Sequence, residues 1–439
     1  MKNPKMESFL PFGCTPSNSV LFQNIFRQVM VNPSCDPYNE IDTTSLSNSE
    51  DAVSQHIHLD WVVDFATSTI HGKATHTVQV LKSGTSVVCF DSSELAISAG
   101  SVDGKKVDVT IDAKHAALGT RLSVPIPTAK QQKGSTLEVC FAYTTSSEAS
   151  AIQWAEAAAT ADKKHPYVYT QCQAIHARSL LPCQDSPGVK TTYSAHVEAP
   201  HWCTILMSAV AVNVERTAEK SLHKWEQKVP TSAYLIALAG GELASREISP
   251  RVRIWSEPSV VDLAAFDFSQ TEDFVAAAEA VTGCDYQWGR YDVLCMPPSF
   301  PYGGMENPCL PFLTPPLLTG AKSLADVIAH EIAHSWTGNL VTNKTWNHFF
   351  LNEGWTMWLQ RKIEQRVKGG VEHLKLSAQA GVSHLRDDIA LFGNDNPLTC
   401  LVCPLGDQDP DDSFRCVTCP VSCASSTMWS NSGFSNKKL

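Results

Sequence analysis

No stretch of this 439-residue sequence is apolar for long enough to span a bilayer; none approaches the roughly eighteen residues that a spanning helix needs. The nearest thing to a targeting segment, SVLFQNIFRQVM at 19–30, is short, interrupted by polar residues and deep in the chain, which excludes an ordinary signal peptide. Charge is also scarce. Only 18% of residues are Asp, Glu, Lys or Arg, and the net charge of −11 disfavours the polyanionic partners, nucleic acid and anionic membrane. The 15 cysteines form no compact disulfide framework. Most stand singly in strand-like segments, the pattern of reduced, buried thiols in a cytoplasmic protein. With 43% hydrophobic residues, the chain has room for about three globular domains.

What is present is concentrated between Ser323 and Glu353, SLADVIAHEIAHSWTGNLVTNKTWNHFFLNE. His330 and His334 are four apart, so on a helix their imidazoles lie on one face and can meet one ion. Neutral imidazole nitrogens suit Zn²⁺. Glu331 projects about 100° round the helix from His330, beside the ion, where it can take a proton from water. Glu353 supplies an anionic third ligand and leaves a position open. The helix is expected independently: Ser323 and Asp326 read as a capping box, and Leu324, Val327 and Ile328 form an apolar stripe. A second helix is expected from about Asn352 to Val367, ending at Gly369-Gly370.

Residues 1–50, rich in Ser, Asn, Pro and Asp, read as a poorly ordered lead-in. From 51 to 245 short alternating or apolar strands dominate, and a β-sandwich-like domain is expected, with a helical patch near Ala151–Ala161. His56, His58, His71 and His76 fall in this region. No carboxylate or thiol cluster is evident beside them, and they are expected to face solvent. A helix is expected between Ser269 and Gly283. YDVLCMPPSFPYGGMENPCL then reads as a strand, a loop and a second strand. Gly303-Gly304 would let another backbone approach an edge strand, and Glu306 would meet a positive charge.

The motifs GGMEN (303–307), HEIAH and the glutamate nineteen residues on resemble those of the M1 family of zinc aminopeptidases, and QCQAIHARSLLPCQDSPGVK strengthens the likeness. The resemblance implies an α+β multidomain architecture: a saddle-like N-terminal β domain, a thermolysin-like catalytic domain over 246–412 and a C-terminal helical domain. It implies one Zn²⁺ on His330, His334 and Glu353, with Glu331 as catalytic base. It further implies that Glu306, helped by Gln173, binds the free α-amine of a peptide, with Tyr302, Gly303 and Gly304 lining the cleft. Asp411 matches a family aspartate that directs water in epoxide hydrolysis, so a lipid epoxide is a further substrate that the resemblance admits.

The pattern breaks after Asp412. Where the family places a tyrosine that donates to the oxyanion, ungapped alignment puts Cys419, a weak donor. Residues 413–439 show no helical or strand period, so they are expected to be a divergent, unstructured tail with the C-terminal helical domain absent. The alternative to an active enzyme is therefore a truncated, impaired fragment that binds zinc and peptide N-termini without efficient turnover. Cys400-x₂-Cys403 and Cys416-x₂-Cys419 also resemble a zinc-ribbon spacing, but the first pair falls where the catalytic domain needs no structural metal.

Overall fold

The structure, a computed structural model, describes residues 40–413 apart from 325, 394, 395, 397 and 398. Its first half is built on an eight-stranded sheet. The strand order is Val210–Arg216, Lys220–Ser232, Lys190–Pro200, Ala52–Asp64, Thr69–Val80, Thr136–Thr144, Ala96–Val102 and Lys105–Val107. Ala52–Asp64 shows how the sequence makes it. Ile57, Leu59, Trp61 and Val63 are buried and alternate with the outward-facing His58, Asp60 and Val62, each buried aliphatic side chain contributing about 1.5–3 kcal/mol. A register irregularity between Ser54 and His56 lets Ser54 and Ile57 point to the same interior. Smaller sheets of four and three strands complete this β-rich part.

The second half adds a five-stranded sheet in the order Ala244–Glu247, Val252–Ser256, Tyr291–Cys295, Phe312–Leu313 and Gly304–Met305. Helices Val261–Asp267, Thr271–Thr282, Asp326–His334, Phe350–Lys368 and Val371–Phe392 accompany it. The sheet and the helices share a core that includes Val252, Ile254, Phe274, Val293, Ile328, Ile332, Leu359 and Ile363. Among the described residues no helix is long and apolar enough to cross a membrane.

Several expectations need correcting. Ala151–Ala161 holds a strand, Ile152–Ala155, paired with Tyr167–Thr170, followed by one 3₁₀ turn at Ala157–Ala159 in which no alanine is buried. The helix expected from Ser269 starts at Thr271, because the Ser269 hydroxyl donates back to Phe266 O at 2.9 Å. Gly283, at φ +67°, closes it in the left-handed region. Ser323 Oγ lies 2.9 Å from Thr319 Oγ1.

The lead-in is also pinned from Glu40 onward. Glu40 reaches Asn347 and His348, each at 2.7 Å, and Leu46 N and Ser45 Oγ each donate to Asp91 at 2.6 Å. His76 does not face solvent. It is fully buried between Ser54 Oγ and Pro182 O, and burial lowers its pKa to about 4. Residues 1–39 and 414–439, including Cys416 and Cys419, lie outside the described residues. Of the other cysteine pair, Cys400 is exposed and Cys403 buried.

Candidate active site

The helix Asp326–His334 buries Ile328, Ala329, Ile332 and Ala333 in the second core, which turns His330 and His334 together toward Phe350–Lys368. Their rings meet edge to face at 4.7 Å, with the two Nε2 atoms 3.1 Å apart. Glu353, in the first turn of the second helix, stands 3.5 Å from His330 Nε2 and 3.8 Å from His334 Nε2. The separation in sequence is thus closed by helix packing.

The other ring nitrogens say what belongs between these atoms. His330 Nδ1 is 2.9 Å from Gln360 Oε1, whose amide nitrogen donates in turn to Glu364 at 2.8 Å. That second bond orients the amide, so Gln360 must accept from His330. His334 Nδ1 is 3.1 Å from the carbonyl of Thr337, which can only accept. With both Nδ1 atoms carrying the hydrogen, both Nε2 lone pairs point at one another. Either a proton or a cation must lie between them. Two imidazoles and a carboxylate, each braced from behind, form a donor set that fits a divalent cation.

Burial governs the electrostatics. It opposes protonation of His330, but Glu353 and Glu331 more than offset this and raise its pKa to about 9, whereas burial takes His334 down to about 4. Burial raises Glu331 to about 7, and burial together with Glu331 and Glu353 raises Glu306 to about 8. Glu353 is held below its usual range: burial works against this, and His334 and His330 overcome it.

Gly304 is the contact between the edge strand and this cluster. A Cβ there would overlap the Glu331 carboxylate and stand 2.9 Å from its Cγ. Gly304→Ala is expected to fold and to bind metal, but with Glu331 displaced. A shift of this size costs about 10²-fold in kcat, measurable as a fall in turnover at unchanged metal content.

Glu306 follows the edge strand and is buried. Gln173 Nε2 donates to its carboxylate at 3.2 Å, and Asn339 holds its carbonyl at 2.7 Å. Lys190 Nζ in turn binds the carbonyls of Asn339 and Leu340 at 2.9 and 2.8 Å, tying the β-rich part to this loop. Gly303 lies at the start of the edge strand, where its carbonyl accepts from Thr314 N, and Tyr302 is half-exposed beside Phe300. Glu306 and Glu331 also form a second close group with His334.

Asp411 stands apart from the metal group among its own partners. It accepts from His176 Nε2 at 2.7 Å and from Ala174 N at 3.3 Å, and Ser150 Oγ holds the far nitrogen of His176 at 2.8 Å. Sequence reasoning missed His176 as well as Gln360, Thr337 and Asn339. His176 lies inside the glutamine-rich stretch already singled out, three residues after Gln173. Gln360 is seven residues beyond Glu353, two helical turns along the same face, which is the signal that spacing offered.

Models of two protein families match the chain: the peptidase M1 N-terminal domain over residues 53–235 and the peptidase family M1 domain over 266–418. Leukotriene A-4 hydrolase of Xenopus laevis is 41% identical over 379 residues, covering 86% of this chain and 62% of that protein. Leucine aminopeptidase 2 of Yarrowia lipolytica is 40% identical over 385 residues, covering 86% of this chain and 58% of that protein. The solved structure of native yeast leukotriene A4 hydrolase superposes with a TM-score of 0.81 at 38% identity, over 89% of this chain and 60% of that one. The yeast enzyme in complex with bestatin gives a TM-score of 0.84 at 36% identity, over 93% and 63%. The chain thus spans less than two thirds of the length of these relatives.

Proposed function

Because the chain belongs to peptidase family M1, we propose that it is a zinc-dependent aminopeptidase releasing N-terminal residues from peptides. In this reading His330, His334 and Glu353 hold the ion. When bound, zinc supplies a Lewis acid for the scissile carbonyl and for the attacking water. Glu331 takes the proton from that water and returns it to the leaving amine; a pKa near 7 matches that task at neutral pH.

The observation that carries the proposal is Glu306, a buried carboxylate beside the metal group with a pKa of about 8. Burial and the neighbouring carboxylates Glu331 and Glu353 disfavour its charged form. A peptide's α-ammonium replaces the missing counter-charge and draws it back to the carboxylate form. Only the first residue of a peptide brings such a cation next to its own scissile bond. Gln173 orients Glu306, and the edge strand Gly304–Met305, last in its sheet, offers backbone groups to an extended substrate whose cleft Tyr302 and Gly303 line. For the epoxide reaction that the family resemblance admits, we assign the directing of water to Asp411, oriented by His176. The described cysteines are free thiols, which supports a reducing, cytoplasmic setting.

Amino-acyl anilides should be turned over, and the same peptides N-acetylated should not. Glu306→Gln should lower kcat/KM by roughly 10–10²-fold, the worth of a buried bond to a charged group. Comparable cleavage of acetylated peptides would replace this reading by an endopeptidase. The second reading, binding without efficient turnover, rests on the ungapped alignment that puts Cys419 where the family resemblance implies a tyrosine. It predicts that wild type and Glu331→Gln hydrolyse the anilide equally slowly.

A further inference from the structure

We propose that the outer face of the eight-stranded sheet carries a second divalent-metal site, formed by His58, Asp60 and His196 and suited to Zn²⁺. The histidines at the start of this sheet were expected to lack a carboxylate partner, and the fold supplies one. Asp60 pairs with His196 across the parallel ladder between Ala52–Asp64 and Lys190–Pro200, and His58 lies two residues back on the same side of the pleat. The donor atoms of all three lie within 4.8 Å of one another.

His58 Nε2 is 3.3 Å from Asp60 Oδ1, and His196 Nδ1 is 3.4 Å from the same oxygen. Tetrahedral zinc, with ligands at about 2.0–2.1 Å, sets neighbouring donors about 3.3–3.4 Å apart. Each imidazole nitrogen already stands at that spacing from the carboxylate oxygen. The group around His330 has the same two imidazoles and one carboxylate, with its carboxylate 3.5 and 3.8 Å from the ring nitrogens. The sheet cluster is therefore the tighter of the two in this respect.

The surroundings brace the cluster from outside. Ser194 Oγ is 2.8 Å from His58 Nδ1, and as an acceptor from that nitrogen it frees the Nε2 lone pair for an ion; without one, Nε2 can donate to Asp60 Oδ1 at 3.3 Å. Ser194 also meets His56 Nε2 at 3.1 Å, and Thr192 holds His56 Nδ1 at 2.8 Å. The strands that carry the cluster are paired on both sides, so their register cannot slip. Partial exposure leaves room for water to complete the coordination. Two lysines set the affinity below that of a buried site. Lys224 faces His196, although Glu215 engages it at 2.6 Å, and Lys73 faces Asp60 on the neighbouring strand. A bound ion would fasten together two strands far apart in sequence.

Zinc titration of the metal-stripped full chain against a chelating indicator tests this. Wild type should take up a second, weaker equivalent that is lost in His196→Ala and in His58→Ala, with aminopeptidase activity unchanged. His334→Ala should lose only the tighter equivalent and retain the weaker, so the sheet site is counted even if the catalytic assignment fails. Equal uptake by wild type and His196→Ala at saturating zinc would overturn the inference.

Discussion

Glu331→Gln is expected to lower kcat for an amino-acyl anilide by about 10²–10⁴-fold, with zinc content unchanged and KM little altered. Glutamine has nearly the shape of glutamate but cannot take a proton. The carboxylate lies against Gly304 on the edge strand, beside the imidazoles rather than among the three donors that face one another. The amide keeps that packing, so the variant isolates proton transfer from structure. Loss of zinc in Glu331→Gln, measured by elemental analysis, would mean that this residue ligates the ion. Equally slow turnover by the two proteins would favour the reading of binding without efficient turnover, whereas equally fast turnover would remove Glu331 from the reaction.

Arg178→Met is expected to destabilise the fold by about 3–5 kcal/mol, the penalty for stranding a buried charge after its partner is removed. Arg178 is 2% exposed. Its guanidinium donates to Asp185 Oδ2 at 3.0 Å and to the carbonyls of Leu118 and Thr44 at 2.7 and 2.9 Å, with Asp91 3.9 Å away. Burial raises Asp185 to about 6 even with Arg178 opposing it, so removing the cation leaves that carboxyl to be neutralised. Methionine fills the volume and satisfies none of these acceptors. The loss should show as a lower urea midpoint. Arg178 sits two residues after His176 and five after Gln173, so activity should fall along with stability. A midpoint within experimental error of wild type would show that water replaces the guanidinium.

Most of the candidate metal cluster was legible from spacing. His330 and His334 had to share a helix face, and the apolar stripe beside them had to be buried; helical geometry alone enforces both. The stretch at Gly304 admitted either an edge strand or a plain turn with a surface acid, and the strand pairing and the burial of Glu306 decide for the first. The capping box was not realised as read, and the alanine-rich patch after residue 150 became strand. There, weak local preference yielded to pairing with Tyr167–Thr170.

The candidate metal group was written into local periodicity, since four-residue spacing and a downstream glutamate act through one pair of helices. Burial and long-range neighbours were not. That Gln360 and Thr337 set both imidazole tautomers, that burial pushes the Glu306 carboxyl up, and that Asp411 is held by His176 all depend on segments brought together across the core. The same holds for His196 beside Asp60: two residues 136 apart in sequence meet only because a parallel ladder sets their register. Periodicity reports which way a side chain points along its own element. Which foreign atoms it meets there, and how much water they exclude, is decided by packing.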